Sequence, residues 1–327
     1  MAGLLGWGQL KESGGPAMTV VSPAAEPRRG KPWLQRALPY LLVAPTLIFI
    51  TMFTLRPAVQ ALWDSAHSRP RANQPFAYVG SQNYEDLFNE RHFIGRQYVK
   101  ILHNTLVFTG GTLVVSLPLA LLLAMLLNRK IRALGLWRFC VFYPVLLPMI
   151  GGATIWAFLF SDSIGLLNTI LRSFNLGTVP WLLDPDTVLP SVIAVNIWKQ
   201  TGYFMLFYLA GLQGIPRDIY EAAELDGAGL FRQFWNLTLP LLRRTTLFLL
   251  IIGVTFGFQT VEQLEVMGRG NPANRSNMLL YYIFQLRNEK LNTGHVAAMT
   301  VILALILLIF TSSNFFLFER GRHDEKA

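Results

Sequence analysis

Two groups of residues in this 327-residue chain could do chemistry. The first is a lone ammonium, Lys199, inside an apolar run. A charge there is costly, so such a lysine either lines a polar pathway or caps backbone carbonyls at a kink. The second is the stretch Ile215–Pro240, a polar, charged insert between two apolar runs. Its punctuation describes two short helices joined by a sharp turn. Pro216 suits a first helical position, where its fixed φ and missing N–H cost nothing. Asp218, Glu221 and Glu224 place negative charge on the early turns, where the helix dipole favours it. Gly227 and Gly229 allow positive φ, so a helix ending there can turn back on itself. Leu230, Phe231, Phe234, Trp235 and Leu237 then follow mostly three and four residues apart, which gathers them on one face. Pro240 is expected to break that second helix and to start the next segment. A helical hairpin with an apolar face, held between membrane spans, has the form of an element that docks into a groove on another protein. The alternative is a structural loop with no partner.

Other chemistry is missing. The one Gly-Lys pair, Gly30-Lys31, is followed by Pro32, and Ala25 stands where a phosphate-binding loop needs its first glycine. There is no His-Glu-x-x-His and no Gly-x-Ser-x-Gly, and the five histidines are scattered. The single cysteine, Cys140, excludes a disulfide within the chain and a cysteine metal site. It reads as a small buried hydrophobe. The chain is therefore expected to be no enzyme and to bind no metal or cofactor of its own.

The chain is 52% hydrophobic and only 14% charged, against roughly 25% charged in soluble domains. Its mean hydropathy is +0.39. Both values describe a membrane protein. The net charge of +9 sits in short flanks beside apolar runs, with no basic stripe interleaved with aromatics. It therefore speaks for anionic lipid and topology, not for nucleic acid.

The elements that must position these residues are six apolar runs, each near the roughly 20 residues that cross a bilayer. They cover about Ala37–Leu55, Thr105–Leu127 (starting somewhat earlier), Phe139–Ser161, Val188–Gln213, Leu241–Glu262 and Val296–Phe318. None alternates as a membrane β-strand does, so the expected fold is all-α with six transmembrane helices. Residues 1–34 read as a disordered basic cytoplasmic tail without the apolar core of a signal peptide. Residues 35–318 read as the transmembrane domain, and 319–327 as a second tail. The Lys and Arg residues beside the spans favour both termini inside, which puts the hairpin in the cytoplasm. Of the three outside loops, residues 64–100 should hold a short helix around Asn83–Asn89. Residues 162–186 carry Trp181, an interfacial anchor by type. Residues 264–294 contain the turn cluster Gly268–Pro272.

The run Glu221-Ala222-Ala223, Asp226-Gly227-Ala228, Leu237 and Leu239-Pro240 resembles the EAA motif of ABC importer permeases. The stretches Ala210–Pro216, Leu38–Pro45 and Trp198-Lys199 resemble the carbohydrate branch, of the maltose and glycerol-phosphate permease type. The likeness covers about residues 35 to 318. Two positions depart from it: Arg244 stands where relatives often have proline, and Gly270-Asn271-Pro272 replaces the usual Gly-Gly-Pro. The resemblance implies a type I ABC importer permease, the binding-protein-dependent transport inner membrane component. Its implied partners are a second permease, two copies of an ATPase that holds ATP and Mg²⁺, and an extracytoplasmic solute-binding protein. Glu221, Ala222, Ala223, Asp226, Gly227 and Pro240 match the motif's ATPase-coupling positions. The family's shared Trp-Lys pair favours a structural role for Lys199.

The resemblance also places a solute path near mid-membrane, between the two permeases. Sugar sites combine amides and carboxylates that bond hydroxyls with aromatic faces. Asn196, Gln200, Gln259, Thr260, Glu262 and Gln263 are the candidates for the first kind, and Tyr203 and Phe258 for the second. Each could equally serve helix–helix bonding or packing. Glu262 on the path would disfavour an anionic solute. The expected function is ATP-driven uptake of a carbohydrate. Glycerol 3-phosphate, a glycerophosphodiester or a polyol is the alternative cargo. A secondary carrier is a more distant alternative, for which neither inverted repeats nor intramembrane acidic pairs are present.

Overall fold

The computed structural model describes residues 32–68, 77–129, 132–289 and 293–323. The expected N-terminal tail up to residue 31, and residues 324–327, lie outside the described residues. Helix already begins at Pro32, and the last helix carries on to His323. The domain bounds drawn at 34 and 319 therefore fall inside helices.

The described elements are helical except for one antiparallel pair, β1 (His67–Ser68) with β2 (Ala77–Tyr78). The helices are α1 (Pro32–Ile50), α2 (Arg56–Ser65), α3 (Gln82–Phe88), α4 (Phe93–Leu127), α5 (Leu134–Leu146), α6 (Met149–Leu159), α7 (Leu166–Ser173) and α8 (Val188–Gln213). They continue as α9 (Arg217–Leu225), α10 (Leu230–Gln233), α11 (Leu239–Leu241), α12 (Arg243–Phe258), α13 (Glu262–Val266), α14 (Leu279–Asn288) and α15 (Thr293–His323). Two π-helical turns, Thr51–Leu55 and Phe234–Thr238, link α1 to α2 and α10 to α11.

The chain divides into two units, residues 1–56 and 57–327. In the first, α1 carries Pro39 and Pro45. Its Leu41, Leu42, Ile48 and Phe49 are exposed, as on a helix whose neighbours are lipid or another chain.

The second unit is built around α4 and α8, with α12 laid against α4. Gly253 and Gly257 permit that approach. A Cβ at the first would collide with Leu113, and one at the second with Thr109. Small residues four apart are the usual means by which membrane helices bring their backbones together. A core of Leu113, Leu121, Phe204, Tyr208, Leu242 and Leu249 fills the space among α4, α8 and α12.

Four described helices are long and apolar enough to cross a bilayer: Ala37–Ser65, Phe93–Leu127, Arg243–Val266 and Thr293–Asn314. The third expected run is not a straight span. It is the pair α5–α6, bent by 100°. Pro148 explains the bend, because a residue before proline is driven out of the helical region, and Leu147 has φ −73° and ψ 136°. Counted as one span, the pair makes a fifth. The remaining expected span, α8, is 26 residues long. Asn196, Lys199 and Gln200 at its middle lower its apolarity below that of the others. Cys140, expected to be buried, is exposed on α5. In a chain whose outer surface is itself apolar, an apolar run does not say which side faces in.

Candidate functional site

The hairpin begins at Pro216, expected as the first helical residue; it instead caps α9 from outside (φ −58°, ψ 139°), and the helix starts at Arg217. Asp218 lies in the first turn. At the other end, Ala228 N–H donates to the Ala223 carbonyl at 2.9 Å and Gly227 N–H to that of Glu224 at 3.0 Å. This paired closure of a helix end needs a left-handed residue in the middle, and Gly227 supplies it at φ 76°. Gly229 does not use its freedom: it has φ −66° and caps α10. Pro240 does not break the second helix either. The preceding π-helical turn shifts the hydrogen-bond register, and Pro240 sits at the start of α11, where its missing N–H is tolerated.

Three residues not singled out from the sequence hold this shape. Gln233 is buried, and its Nε2 donates to the Ala228 carbonyl at 2.9 Å, locking the turn. The Tyr220 hydroxyl bonds the Thr238 Oγ1 at 3.1 Å, tying α9 to the returning segment. Glu221, Ala222 and Asp226 are exposed and Ala223 is half-buried. Around them Leu225 is 90% exposed, Leu230 72%, Phe231 77% and Trp235 52%.

The candidate path residues gather elsewhere. Asn196, Lys199, Gln200 and Tyr203 recur on α8 at the spacing of one helical face. Opposite them the chain breaks between α12 and α13, where Val261 has φ −135° and ψ −55°. Around that break stand Gln259, Thr260, Glu262 and Gln263. The two groups line one cavity of about 340 Å³, together with Val145, Met149, Phe256 and Val261. Phe258 is not in its wall. That side chain is 3% exposed and packs in the core with Leu87, Tyr98 and Leu279. Two residues along a helix turn the side chain through roughly 200°, so Phe256 faces the cavity where Phe258 was expected. The Phe256 ring meets Tyr203 edge-on at 5.7 Å.

Several polar groups in the wall are already bonded. Lys199 Nζ donates to the Leu147 carbonyl at 2.5 Å, Asn196 Nδ2 to Thr112 Oγ1 at 3.3 Å, and Thr260 Oγ1 to the Phe256 carbonyl at 3.1 Å. Among the described residues, no group of three or more His, Cys, Asp or Glu side chains could hold a metal ion.

After α13, the Gly268–Pro272 cluster forms the expected turn, with Asn271 N–H donating to the Gly268 carbonyl at 2.9 Å. It holds three positive-φ residues in a row, Gly268, Arg269 and Gly270. Trp181, expected as an interfacial anchor, is half-buried and donates from Nε1 to the Asn168 Oδ1 at 3.1 Å.

A family model described as "Binding-protein-dependent transport system inner membrane component" matches residues 116–322, which include both hairpin and cavity. The chain is 35% identical over 289 residues to the sn-glycerol-3-phosphate transport system permease protein UgpA of Agrobacterium fabrum, covering 88% of this chain and 97% of that one. To the protein of the same description from Pectobacterium atrosepticum it is 32% identical, covering 86% and 94%. The fold is similar to that in the crystal structure of a bacterial ABC transporter involved in the import of the acidic polysaccharide alginate. The TM-score is 0.75 at 24% identity, covering 88% of this chain and 97% of that one. The crystal structure of a bacterial alginate ABC transporter in complex with an alginate pentasaccharide-bound periplasmic protein gives a TM-score of 0.76 at 23% identity, covering 88% and 96%. The chain belongs to the binding-protein-dependent transport system inner membrane components, with the mostly helical type I fold of ABC importer permeases.

Proposed function

We propose that this chain is one of two permeases of an ABC importer that takes up a carbohydrate delivered by a solute-binding protein, with an ATPase docked on the Ile215–Pro240 hairpin. The observation that carries the coupling is the surface of that hairpin. It is braced at both ends by bonds from Gln233 and Tyr220, yet it leaves Leu225, Leu230, Phe231 and Trp235 exposed. A short helix with exposed apolar anchors fits a groove on a partner. The bracing lets closure of that partner reach α8 and α12 as a rigid push. Glu221, Ala222, Ala223, Asp226, Gly227 and Pro240 form or shape the contact. The hairpin and both termini lie on the cytoplasmic side, in keeping with the basic flanks of the spans.

The solute path includes the cavity between α8 and the α12–α13 break. Its amides, Asn196, Gln200, Gln259 and Gln263, can bond hydroxyls, and Tyr203 and Phe256 offer faces to a sugar ring. A second reading, glycerol 3-phosphate as cargo, is favoured by the names of the relatives at 35% and 32% identity. Reconstitution of the chain with its partner subunits and binding protein in vesicles tests both. ATP-dependent uptake of labelled maltose, competed by sugars and not by sn-glycerol 3-phosphate, upholds the carbohydrate. The reverse order of competition selects the second reading. Assembly and uptake unaffected by Glu221→Lys would sink the coupling assignment.

A further inference from the structure

Gln263 lines the cavity yet is only 1% exposed. Neither its Nε2 nor its Oε1 has a hydrogen-bond partner. Its neighbours differ: Lys199, Asn196 and Thr260 each have a protein partner. Buried polar groups are almost always bonded, so an amide unmatched at both ends is a group whose partner arrives from outside the fold. It occupies the first turn of α13, directly after the break at Gln259–Val261. That position belongs to the cavity wall, on a short helix that packs against α6.

The chemistry of the missing partner follows from the amide. A glutamine offers a donor and an acceptor side by side. Its complement is a pair of hydroxyls on adjacent carbons, one donating to Oε1 and the other accepting from Nε2. A phosphate or carboxylate satisfies only the Nε2 and leaves Oε1 against a second lone pair. We propose that Gln263 is the specificity-determining residue of the path and that it reads a vicinal diol on the solute. This rests on the reading of the cavity as part of the solute path. The diol is chemistry shared by sugars and by glycerol 3-phosphate, so Gln263 recognises either through its hydroxyls and neither through an anionic group.

The test uses the importer complex purified with its partner subunits, as wild type and as Gln263→Leu. Gln263→Met serves if the leucine variant does not assemble. Thermal unfolding is followed against rising concentrations of maltose, sn-glycerol 3-phosphate and glycerol 2-phosphate. The last is the isomer whose two hydroxyls are not on adjacent carbons. Without probe, the variant should unfold at the same temperature or higher, since an unmatched buried amide is gone. With probe, the concentration giving half-maximal stabilisation should rise about tenfold or more in the variant for at least one vicinal-diol probe. Glycerol 2-phosphate should not distinguish the two proteins. A shift for maltose alone names a sugar as source of the diol, and a shift for sn-glycerol 3-phosphate alone names the phosphoglycerol. Wild type and variant responding alike to every probe, or glycerol 2-phosphate acting as well as its isomer, overturns the proposal. ATPase retention in the same preparation separates the two readings. Retained ATPase with no diol discrimination removes Gln263 and leaves the permease. Discrimination without bound ATPase upholds Gln263 and strikes the coupling.

Discussion

The ammonium of Lys199, midway along α8, donates to the carbonyl of Leu147, the residue that precedes Pro148 at the α5–α6 bend. Leu147 is held extended by the proline that follows it, so its carbonyl has left the helical ladder, in which it would accept from the N–H four residues on. A carbonyl freed inside an apolar layer needs a donor. The lysine that looks out of place in the fourth apolar run thus answers a break in the third. Gly202, one turn further along α8, brings the same two helices so close that a Cβ there would strike the Val141 carbonyl. Bend, cap and close approach belong to one joint beside the cavity.

Lys199→Met should therefore act first on stability. It leaves the Leu147 carbonyl without a partner, at a cost of about 1–3 kcal/mol. Lys199→Arg should restore most of the loss, because a guanidinium still donates. Thermal unfolding of the purified complex measures this. A methionine variant that keeps its unfolding temperature but loses solute affinity would make Lys199 a path residue instead.

The hairpin and the polar face of α8 were legible because they rest on local signals: prolines, glycines and the helical repeat. What was not legible depended on tertiary turns that leave little mark on the chain. The break at Gln259–Val261 has neither proline nor glycine, so α12 reads as running on and Phe258 as belonging with Gln259. The bend at Leu147 is marked by Pro148, yet its size of 100° depends on how α8 meets it. The ten residues of α14 are too short for a span and too mixed in polarity to show a face. The exposure of Cys140 escaped for a different reason, since burial and lipid contact select the same residue types.

Gly227 and Gly229 make a matched pair for testing the turn. Gly227 has open space around its missing Cβ, so Gly227→Ala strains only the backbone, by roughly 1–2 kcal/mol. Gly229 also has open space, but its φ of −66° suits any residue. Gly227→Ala should weaken ATPase retention during purification, while Gly229→Ala leaves it near wild type. Equal effects of the two would mean that the turn geometry does not govern docking.

Tyr220→Phe and Thr238→Val remove the same bond from its two ends. If the bond transmits force through the hairpin, each variant should keep ATPase binding but hydrolyse ATP with less uptake per ATP. The double variant should be no worse than the singles, as partners in one interaction are not additive. The ratio of solute taken up to phosphate released in vesicles reads this directly. An unchanged ratio in both singles would reduce the bond to a surface detail.

Phe256 and Phe258 separate path from core within three residues. Phe258→Ala opens a cavity beside Leu87, Tyr98 and Leu279, and large-to-small changes at such sites cost about 3–5 kcal/mol. Its effect should appear as a lower unfolding temperature with the half-saturation for uptake little changed in the fraction that folds. Phe256 is 40% exposed and lines the cavity, so Phe256→Ala should spare stability and raise the half-saturation by removing one face from the solute. The two readouts must divide between the two residues. If Phe258→Ala instead shifts half-saturation and Phe256→Ala shifts unfolding, the break between α12 and α13 is turned the other way in the working importer, and the cavity is not where solute passes.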